Sequence, residues 1–273
     1  MFTALMTNTW LAASAVAVVA GVTGFFAVGR GSSFAAHALP NGAFAGAAGA
    51  TLVGASTLLG VGVFSVAGAL AIGALGRRGR HDVATALTVV VMLAAGSLFI
   101  TLKTAYAPEV YALLFGQLFG VSSAAVTVTL ILGGVSLIAL ALLYRPLLWS
   151  SAVPDVAATR SMRPAVTETA FLVVMALVTT MAVPVVGALL IFSLLVSPAA
   201  AARCLTDRPG VAVGLGTVFA VAIVWVAIAV SFVTALPVGF LVGSGGALLY
   251  AALYAATRLA GRAGASRRHY RRG

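Results

Sequence analysis

The sequence predicts an all-α polytopic membrane protein with about nine transmembrane helices, its N-terminus outside and its C-terminus inside. Three observations support this fold class. Hydrophobic residues fill 62% of the 273 positions and charged residues only 8%, whereas soluble domains are about 25% charged. The apolar residues form long runs, and the basic residues are distributed unevenly between those runs. A chain with so little polar surface is better suited to a bilayer than to water.

Nine apolar runs divide the chain, each near the length of about 20 residues that a transmembrane helix needs. Several boundaries are soft, so eight to ten spans fit the sequence, and residues 106–121 fit a short interfacial or re-entrant helix. We predict a transmembrane domain over residues 1–257 and a basic cytoplasmic tail over 258–273. The runs lie near 8–29, 34–51, 53–76, 83–103, 122–145, 166–185, 187–204, 211–233 and 238–257.

The basic residues set the predicted orientation. If the nine runs alternate across the membrane, fifteen of the sixteen Lys and Arg residues fall on one side and only Lys103 on the other. The positive-inside rule makes the side with fifteen cytoplasmic. The net charge of +11 therefore indicates membrane topology rather than binding to nucleic acid. The arginine-rich tail is also expected to contact anionic lipid.

The sequence also excludes several functions. A phosphate-binding P-loop needs a lysine after a glycine-rich loop, and the only lysine, Lys103, has no such loop before it. No catalytic set is present, so we expect a protein that is not an enzyme and binds no cofactor tightly. Proton-coupled carriers usually place acids within their spans. Here all five acids lie at predicted loops or helix ends: Asp82, Glu109, Asp155, Glu168 and Asp207.

One polar stripe interrupts the apolar pattern near the N-terminus. Ser33, His37 and Asn41 are spaced i, i+4 and i+8, so they share one face of a helix. An imidazole in hydrocarbon is costly without polar partners, so this face is expected to look into the bundle or a cavity. Pro40 removes an amide donor and weakens the helix locally. The stripe fits either an interhelical hydrogen bond or a contact with a transported cation or substrate.

Four segments, in order along the chain, are similar to landmarks of the integral-membrane permease subunits of zinc/manganese/iron ABC importers. In the first, an arginine that ends a helix precedes a histidine-alanine pair, which here are Arg30, His37 and Ala38. The third is the strongest match and contains Pro198. The chain thus resembles this family over most of its length. The segments read "GFFAVGRGSSFAAHALPNGAFAG", "YALLFGQLFGVS", "VPVVGALLIFSLLVSPAAAARCL" and "SFVTALPVGFLVG".

Two departures from the family pattern affect the metal site that the resemblance implies. The family commonly has aspartates at the positions of Ser33 and Ala235. An aspartate and a histidine at i and i+4 form a plausible divalent-ion site, whereas a serine hydroxyl is a far poorer ligand. The resemblance therefore implies His37 as the metal contact. It leaves open which metal is carried, and whether the cargo is a metal at all.

A cytoplasmic segment is the candidate for contact with an ATPase. The stretch "LLYRPLLWSSAVPDVAATRSMRPAV" is the longest polar interruption on the predicted inner face. In the family that the chain resembles, the corresponding stretch docks on the ATPase, which implies a docking role here for four residues. An ordinary connecting loop with topology-setting arginines is the alternative. The four residues are Pro154, Asp155, Arg160 and Arg163.

The resemblance implies the permease subunit of a bacterial ABC importer, a multi-pass protein of the plasma membrane. Two copies would enclose a pathway for a divalent metal ion such as zinc, manganese or iron. The implied partners are ABC ATPase subunits, an extracytoplasmic solute-binding protein and a second copy of the chain. One alternative is a secondary carrier or channel without an ATPase. A second is a membrane scaffold with a vestigial pathway.

Overall fold

The computed structural model describes residues 4–76, 81–102, 120–152, 164–234 and 236–270. Within these ranges the chain is helical, and no strand occurs. The stretch predicted as a re-entrant helix, 106–121, falls almost wholly outside them. The nine helices of the described ranges are α1 Ala4–Gly29, α2 Ser33–Leu52, α3 Thr57–Leu75, α4 His81–Leu102, α5 Ser123–Ala152, α6 Pro164–Val186, α7 Ala188–Leu205, α8 Pro209–Thr234 and α9 Val238–Tyr270.

Each predicted apolar run coincides with one helix, so the all-helical prediction is confirmed. Two helices extend beyond their runs. Helix α5 continues to Ala152 and includes Pro146, although its apolar run ends near residue 145. Leu147 is fully buried in the core, and such tertiary packing can override a poor local helix propensity. Helix α9 continues to Tyr270, past the predicted start of the tail at residue 258.

Seven of the described helices are long and apolar enough to cross a membrane. Helix α2 is rich in alanine and glycine, and 12 of its residues are buried in the protein. In α7 the strongly apolar part is the shorter segment Leu190–Leu205. The composition thus supports a multi-pass membrane protein. Nine spans, and the side on which each terminus lies, stay predictions.

The helices pack around α1, α6 and α7. Helix α1 contacts α5, α7 and α8, while α2 packs against α3 and α4, and α3 against α6. Phe171 of α6 and Leu194 of α7 are among the largest fully buried side chains. By contrast, α5 and α8 expose apolar side chains such as Leu142, 77% exposed, and Val233, 78% exposed. Lipid is the natural neighbour for such a surface.

Many hydroxyl side chains in the helices donate to a carbonyl of their own helix. Thr23 donates to the carbonyl of Val19 at 2.7 Å, and Thr180 donates to the carbonyl of Ala176 at 2.7 Å. Each acceptor lies one turn earlier in the same helix, which is a common way for threonine to sit in an apolar region. These residues need no ligand or pathway to explain them.

Contacts between helix ends are those expected if successive helices run in opposite directions between the two ends of the bundle. At one end, Asn8 of α1 donates to the carbonyl of Val121, just before α5, at 3.2 Å. Also toward this end, Trp225 of α8 donates to the hydroxyl of Ser14 at 2.9 Å. The opposite end brings together Arg30 of the α1–α2 turn, the end of α5 and the start of α6. The assignment of these two ends to outside and inside remains a prediction.

Candidate functional site

Helix α2 presents one narrow stripe that the other described residues cover only in part. Phe34 and His37 are exposed, and Ser33, Asn41 and Phe44 are half-buried. The remaining faces of this helix, over most of its length, carry buried alanine and glycine. The polar stripe predicted from the spacing of Ser33, His37 and Asn41 therefore exists on a single helix face.

His37 has neighbours on its own helix and on α7. The side-chain amide of Asn41 donates to the backbone carbonyl of His37 at 2.8 Å and lies 3.3 Å from its Nε2. The Phe192 ring of α7 packs edge-on against the imidazole, with 4.8 Å between ring centroids. These contacts hold the imidazole between α2 and α7. They leave part of it accessible, because His37 remains exposed.

A single copy of the stripe offers few metal ligands. Within the described ranges, no group of three or more His, Cys, Asp or Glu residues is arranged to hold a metal ion. The stripe itself supplies one imidazole, one hydroxyl and one amide. Since structural and catalytic metal sites normally use at least three protein ligands, this arrangement suits a transient contact. A complete site would need groups from elsewhere.

A second polar centre lies where α1 ends, and the sequence did not predict it. The guanidinium of Arg30 forms an ion pair with the carboxylate of Glu168 in α6. The same group donates to the carbonyl of Leu147 at 3.3 Å and to the hydroxyl of Ser150, both in α5. Ser32 donates to the other oxygen of Glu168 at 3.2 Å. The α1–α2 turn, α5 and α6 thus meet at the Arg30–Glu168 pair.

The Arg30–Glu168 pair is well shielded from solvent. The side chain of Arg30 is 9% exposed and that of Glu168 is 18% exposed. The guanidinium also lies 6.0 Å from the ring centroid of the buried Phe171. Removing one partner of a buried ion pair costs about 3–5 kcal/mol, because the other charge is left uncompensated. The partial exposure of Glu168 places this pair toward the lower end of that range.

From the sequence, Arg30 was recognised only as part of the first family-like segment and as one of the basic residues that set the predicted orientation. One signal could have revealed the pair: both Arg30 and Glu168 occur at predicted helix ends, and alternation of the spans puts these ends on the same side of the membrane. The signal is weak, since several basic and acidic residues share that property. Packing of α1, α5 and α6 was needed to select these two.

Two pockets flank this centre. One, of about 140 Å³, is lined by Arg30, Ser32, His81, Asp82, Thr85 and Glu168 among others. The other, of about 200 Å³, lies between the end of α1 and the α7–α8 connection and includes Arg203 and Asp207. His81 is exposed at the start of α4. This end of the bundle is therefore more polar than the apolar exterior.

The predicted docking residues cannot be placed in this geometry. Pro154, Asp155, Arg160 and Arg163 all lie outside the described residues. Their chain neighbours are described, since α5 ends at Ala152 and α6 begins at Pro164. The docking role of these four residues stays a prediction.

Comparison with known proteins gives a consistent result. A family model described as the ABC 3 transport family matches residues 2–255. The manganese transport system membrane protein MntC of Halalkalibacterium halodurans is 31% identical over 212 residues, which cover 77% of this chain and 73% of that protein. The manganese import system permease protein ScaB of Streptococcus parasanguinis is 28% identical over 197 residues, covering 71% and 70% of the two chains.

A solved structure has the same fold. PsaBC from Streptococcus pneumoniae in complex with Fab superimposes with a TM-score of 0.82, covering 92% of this chain and 91% of the matched chain. The sequence identity in that match is 22%. At this identity the likeness establishes the arrangement of helices and nothing more.

Proposed function

Because this chain belongs to the ABC 3 transport family, we propose that it is the permease subunit of a bacterial ABC importer for manganese in the plasma membrane. The observation that carries the proposal is a family match spanning residues 2–255 of the 273-residue chain. The cargo is inferred from relatives described as manganese transport proteins. The permease itself catalyses no bond chemistry, and a separate ATPase hydrolyses ATP.

The pathway lies along the α2 stripe, between two copies of the chain. Ser33, His37 and Asn41 are on one face of α2, which the other described residues cover only in part. A second copy related by two-fold symmetry would bring an equivalent stripe opposite the first. The pathway would then contain two imidazoles together with hydroxyl and amide groups. These groups would come from both copies, which explains why a single copy offers no complete ligand set.

Weak binding on this stripe is compatible with transport of Mn²⁺. Manganese prefers oxygen ligands such as carboxylate, carbonyl and water, and it binds protein sites less tightly than zinc does. The stripe has no carboxylate, so a passing ion would keep much of its water shell. A conduit needs cargo that leaves as readily as it enters. We therefore assign His37 a role in guiding the ion rather than in storing it.

The importer also needs partners that this chain does not contain. An ABC ATPase would bind at the polar end where Arg30 and Asp207 lie, and the docking role predicted for Pro154, Asp155, Arg160 and Arg163 belongs to the same partner. A solute-binding protein would deliver manganese at the opposite end, near Asn8 and Trp225. This division follows from the predicted orientation, in which the basic end faces the cytoplasm.

Copurification and uptake together test the proposal. The tagged permease is expressed in its own host, purified in mild detergent and analysed for an associated P-loop ATPase. The complex is then reconstituted into liposomes, and ATP-dependent uptake of radioactive Mn²⁺ is compared with that of Zn²⁺. We expect an ATPase partner and uptake that needs ATP. Uptake by the permease alone would support a secondary carrier or channel instead, and ATP-driven uptake of Zn²⁺ but not Mn²⁺ would overturn the choice of metal.

A further inference from the structure

We propose that Arg30 and Glu168 form a brace that couples the ATPase-binding end of the permease to helix α2 and its stripe of Ser33, His37 and Asn41. The inference rests on the proposed function, because it requires an ATPase partner. It adds positioning residues, since neither Arg30 nor Glu168 lies on the stripe. Its basis is the arrangement of hydrogen bonds around the two charged groups.

The first and last residues of the α1–α2 turn both contact Glu168. Arg30 opens this three-residue turn and pairs with one carboxylate oxygen, while Ser32 closes it and donates to the other oxygen at 3.2 Å. Gly31 lies between them with φ of +70°, a left-handed conformation that glycine adopts readily. The start of α6 and the turn before α2 are therefore joined by two contacts with one side chain.

The same arginine also holds the end of α5. Its Nη1 donates to the carbonyl of Leu147 at 3.3 Å and to the hydroxyl of Ser150. In the chain, α5 ends just before residues 153–163 and α6 begins just after them. These residues form the segment with the predicted docking residues. A force that an ATPase exerts on that segment reaches α5 and α6 first. Arg30 is the group that connects both of them to the α1–α2 turn.

Helix α2 can transmit a displacement of the turn to His37. It begins at Ser33, directly after the turn, and runs without interruption to Leu52. With a rise of about 1.5 Å per residue, His37 lies about 6 Å along the axis from Ser33. Ser33 and His37 are one turn apart on the N-terminal side of Pro40, so this first turn can move as one unit and carry coupling between sites. A shift at the turn therefore repositions the imidazole.

Stability alone does not account for the ion pair. Buried ion pairs are weak stabilisers, because desolvation of the charges offsets their attraction, and apolar replacements are often as stable. The pair is better explained as a specific link that joins the end of α1 to α5 and α6. A link of this kind fixes relative positions, which is what transmission between two ends of a protein requires.

The brace is tested without any cargo, in the full complex with its copurified ATPase in nanodiscs. The permease carries His37→Cys in a Cys204→Ser background, so position 37 provides the only thiol of this chain. The rate at which a maleimide labels that thiol is measured with and without ATP. We expect ATP to change the rate about fivefold or more, the lower end of typical coupling between sites. Glu168→Gln or Arg30→Gln should remove most of this change.

Thr85→Val is the matched control, because Thr85 lines the same pocket while its hydroxyl donates to the carbonyl of His81 within α4 at 2.8 Å. It should keep the full response to ATP. A purely structural role of the pair would lower the thermal stability of the complex and leave the response unchanged. Partial recovery of the response in Arg30→Glu combined with Glu168→Arg would support the ion pair as the link.

Several outcomes would overturn the inference. One is a parent protein whose labelling rate is the same with and without ATP. Another is a response to ATP that is unchanged in Glu168→Gln and Arg30→Gln. If these variants fail to assemble, Glu168→Asp decides the question, since it keeps the negative charge but shortens the side chain and draws the carboxylate away from Arg30 and Ser32. A full response in that variant would reject the brace. Absence of any copurifying ATPase would instead reject the proposed function, and the inference with it.

Discussion

Gly46 of α2 and Gly60 of α3 bring the backbones of two helices into direct contact. A β-carbon on Gly46 would lie 2.7 Å from the carbonyl carbon of Gly60, and one on Gly60 would lie 2.8 Å from the carbonyl carbon of Gly46. Helices in lipid have little hydrophobic force between them, so small residues that allow such close approach hold the bundle together. This crossing packs the C-terminal half of α2, the helix that carries His37, against α3.

Gly46→Ala should therefore destabilise the protein. The new methyl group would collide with the backbone of α3, and forced overpacking typically costs about 1–3 kcal/mol. The measurement is the midpoint of thermal unfolding of the purified protein in detergent, followed by tryptophan fluorescence. Gly214→Ala in α8 is the control, because no atom lies within 4 Å of its β-carbon position. Equal midpoints for the two variants would contradict the backbone contact.

His37→Ala should lower manganese uptake and leave the amount of assembled complex unchanged. The side chain is exposed in one copy, so its removal creates little cavity. We expect uptake to fall about tenfold, which corresponds to about 1.4 kcal/mol. Uptake is measured in liposomes and assembly by quantitative blot. His269→Ala, in the basic C-terminal stretch, should behave as wild type. Loss of assembly with normal uptake per complex would make His37 a packing residue.

Ser33→Asp should create a tighter metal site. It places a carboxylate one helical turn before the imidazole of His37, and carboxylate oxygen is a preferred ligand of Mn²⁺. We expect Mn²⁺ retention by the purified protein to rise about tenfold or more, equivalent to about 1.4 kcal/mol. Equilibrium dialysis measures this change, and Ser33→Asn is the uncharged control. Retention that survives His37→Ala in the same variant would place the metal elsewhere.

Reporter fusions test the predicted topology. Fusions after Arg80, after Arg163 and at the C-terminus should report the cytoplasmic side, and a fusion near Pro108 should report the external side. The physical reason is the concentration of fifteen basic residues on one side, with Lys103 alone on the other. If the Arg80 and Pro108 fusions agree with each other, α4 does not cross the membrane.

Charge reversal at both Arg160 and Arg163 should weaken association with the ATPase while leaving membrane insertion intact. Single exposed ion pairs contribute about 0–1 kcal/mol, so the double variant is the informative one. Copurification of the ATPase with the tagged permease is the measurement. Arg258→Glu in α9 is the control, because it reverses a charge outside the predicted docking segment. Its guanidinium lies over the ring of Tyr254 in the same helix, 4.8 Å from the ring centroid. Undiminished copurification in the double variant would exclude these two arginines from the interface.

The helices were largely predictable because their signals are local. Each apolar run depends on residues within a few turns of one another, and the bilayer fixes the length that such a run needs. The polar stripe was predictable for the same reason, since the spacing of Ser33, His37 and Asn41 places them on one face of any helix. The extension of α5 past Pro146 was not, because it depends on burial of Leu147 against distant helices.

The sequence by itself determined the membrane class, the helices and the stripe on α2, since composition and periodicity are properties of the chain alone. Only the tertiary structure decided that Arg30 meets Glu168, 138 positions away, and that Gly46 meets Gly60 across a helix crossing. Many charged residues at helix ends could have paired, and many glycines could have formed a contact. Packing of helices distant in sequence selects among these pairs, and no local pattern encodes that choice.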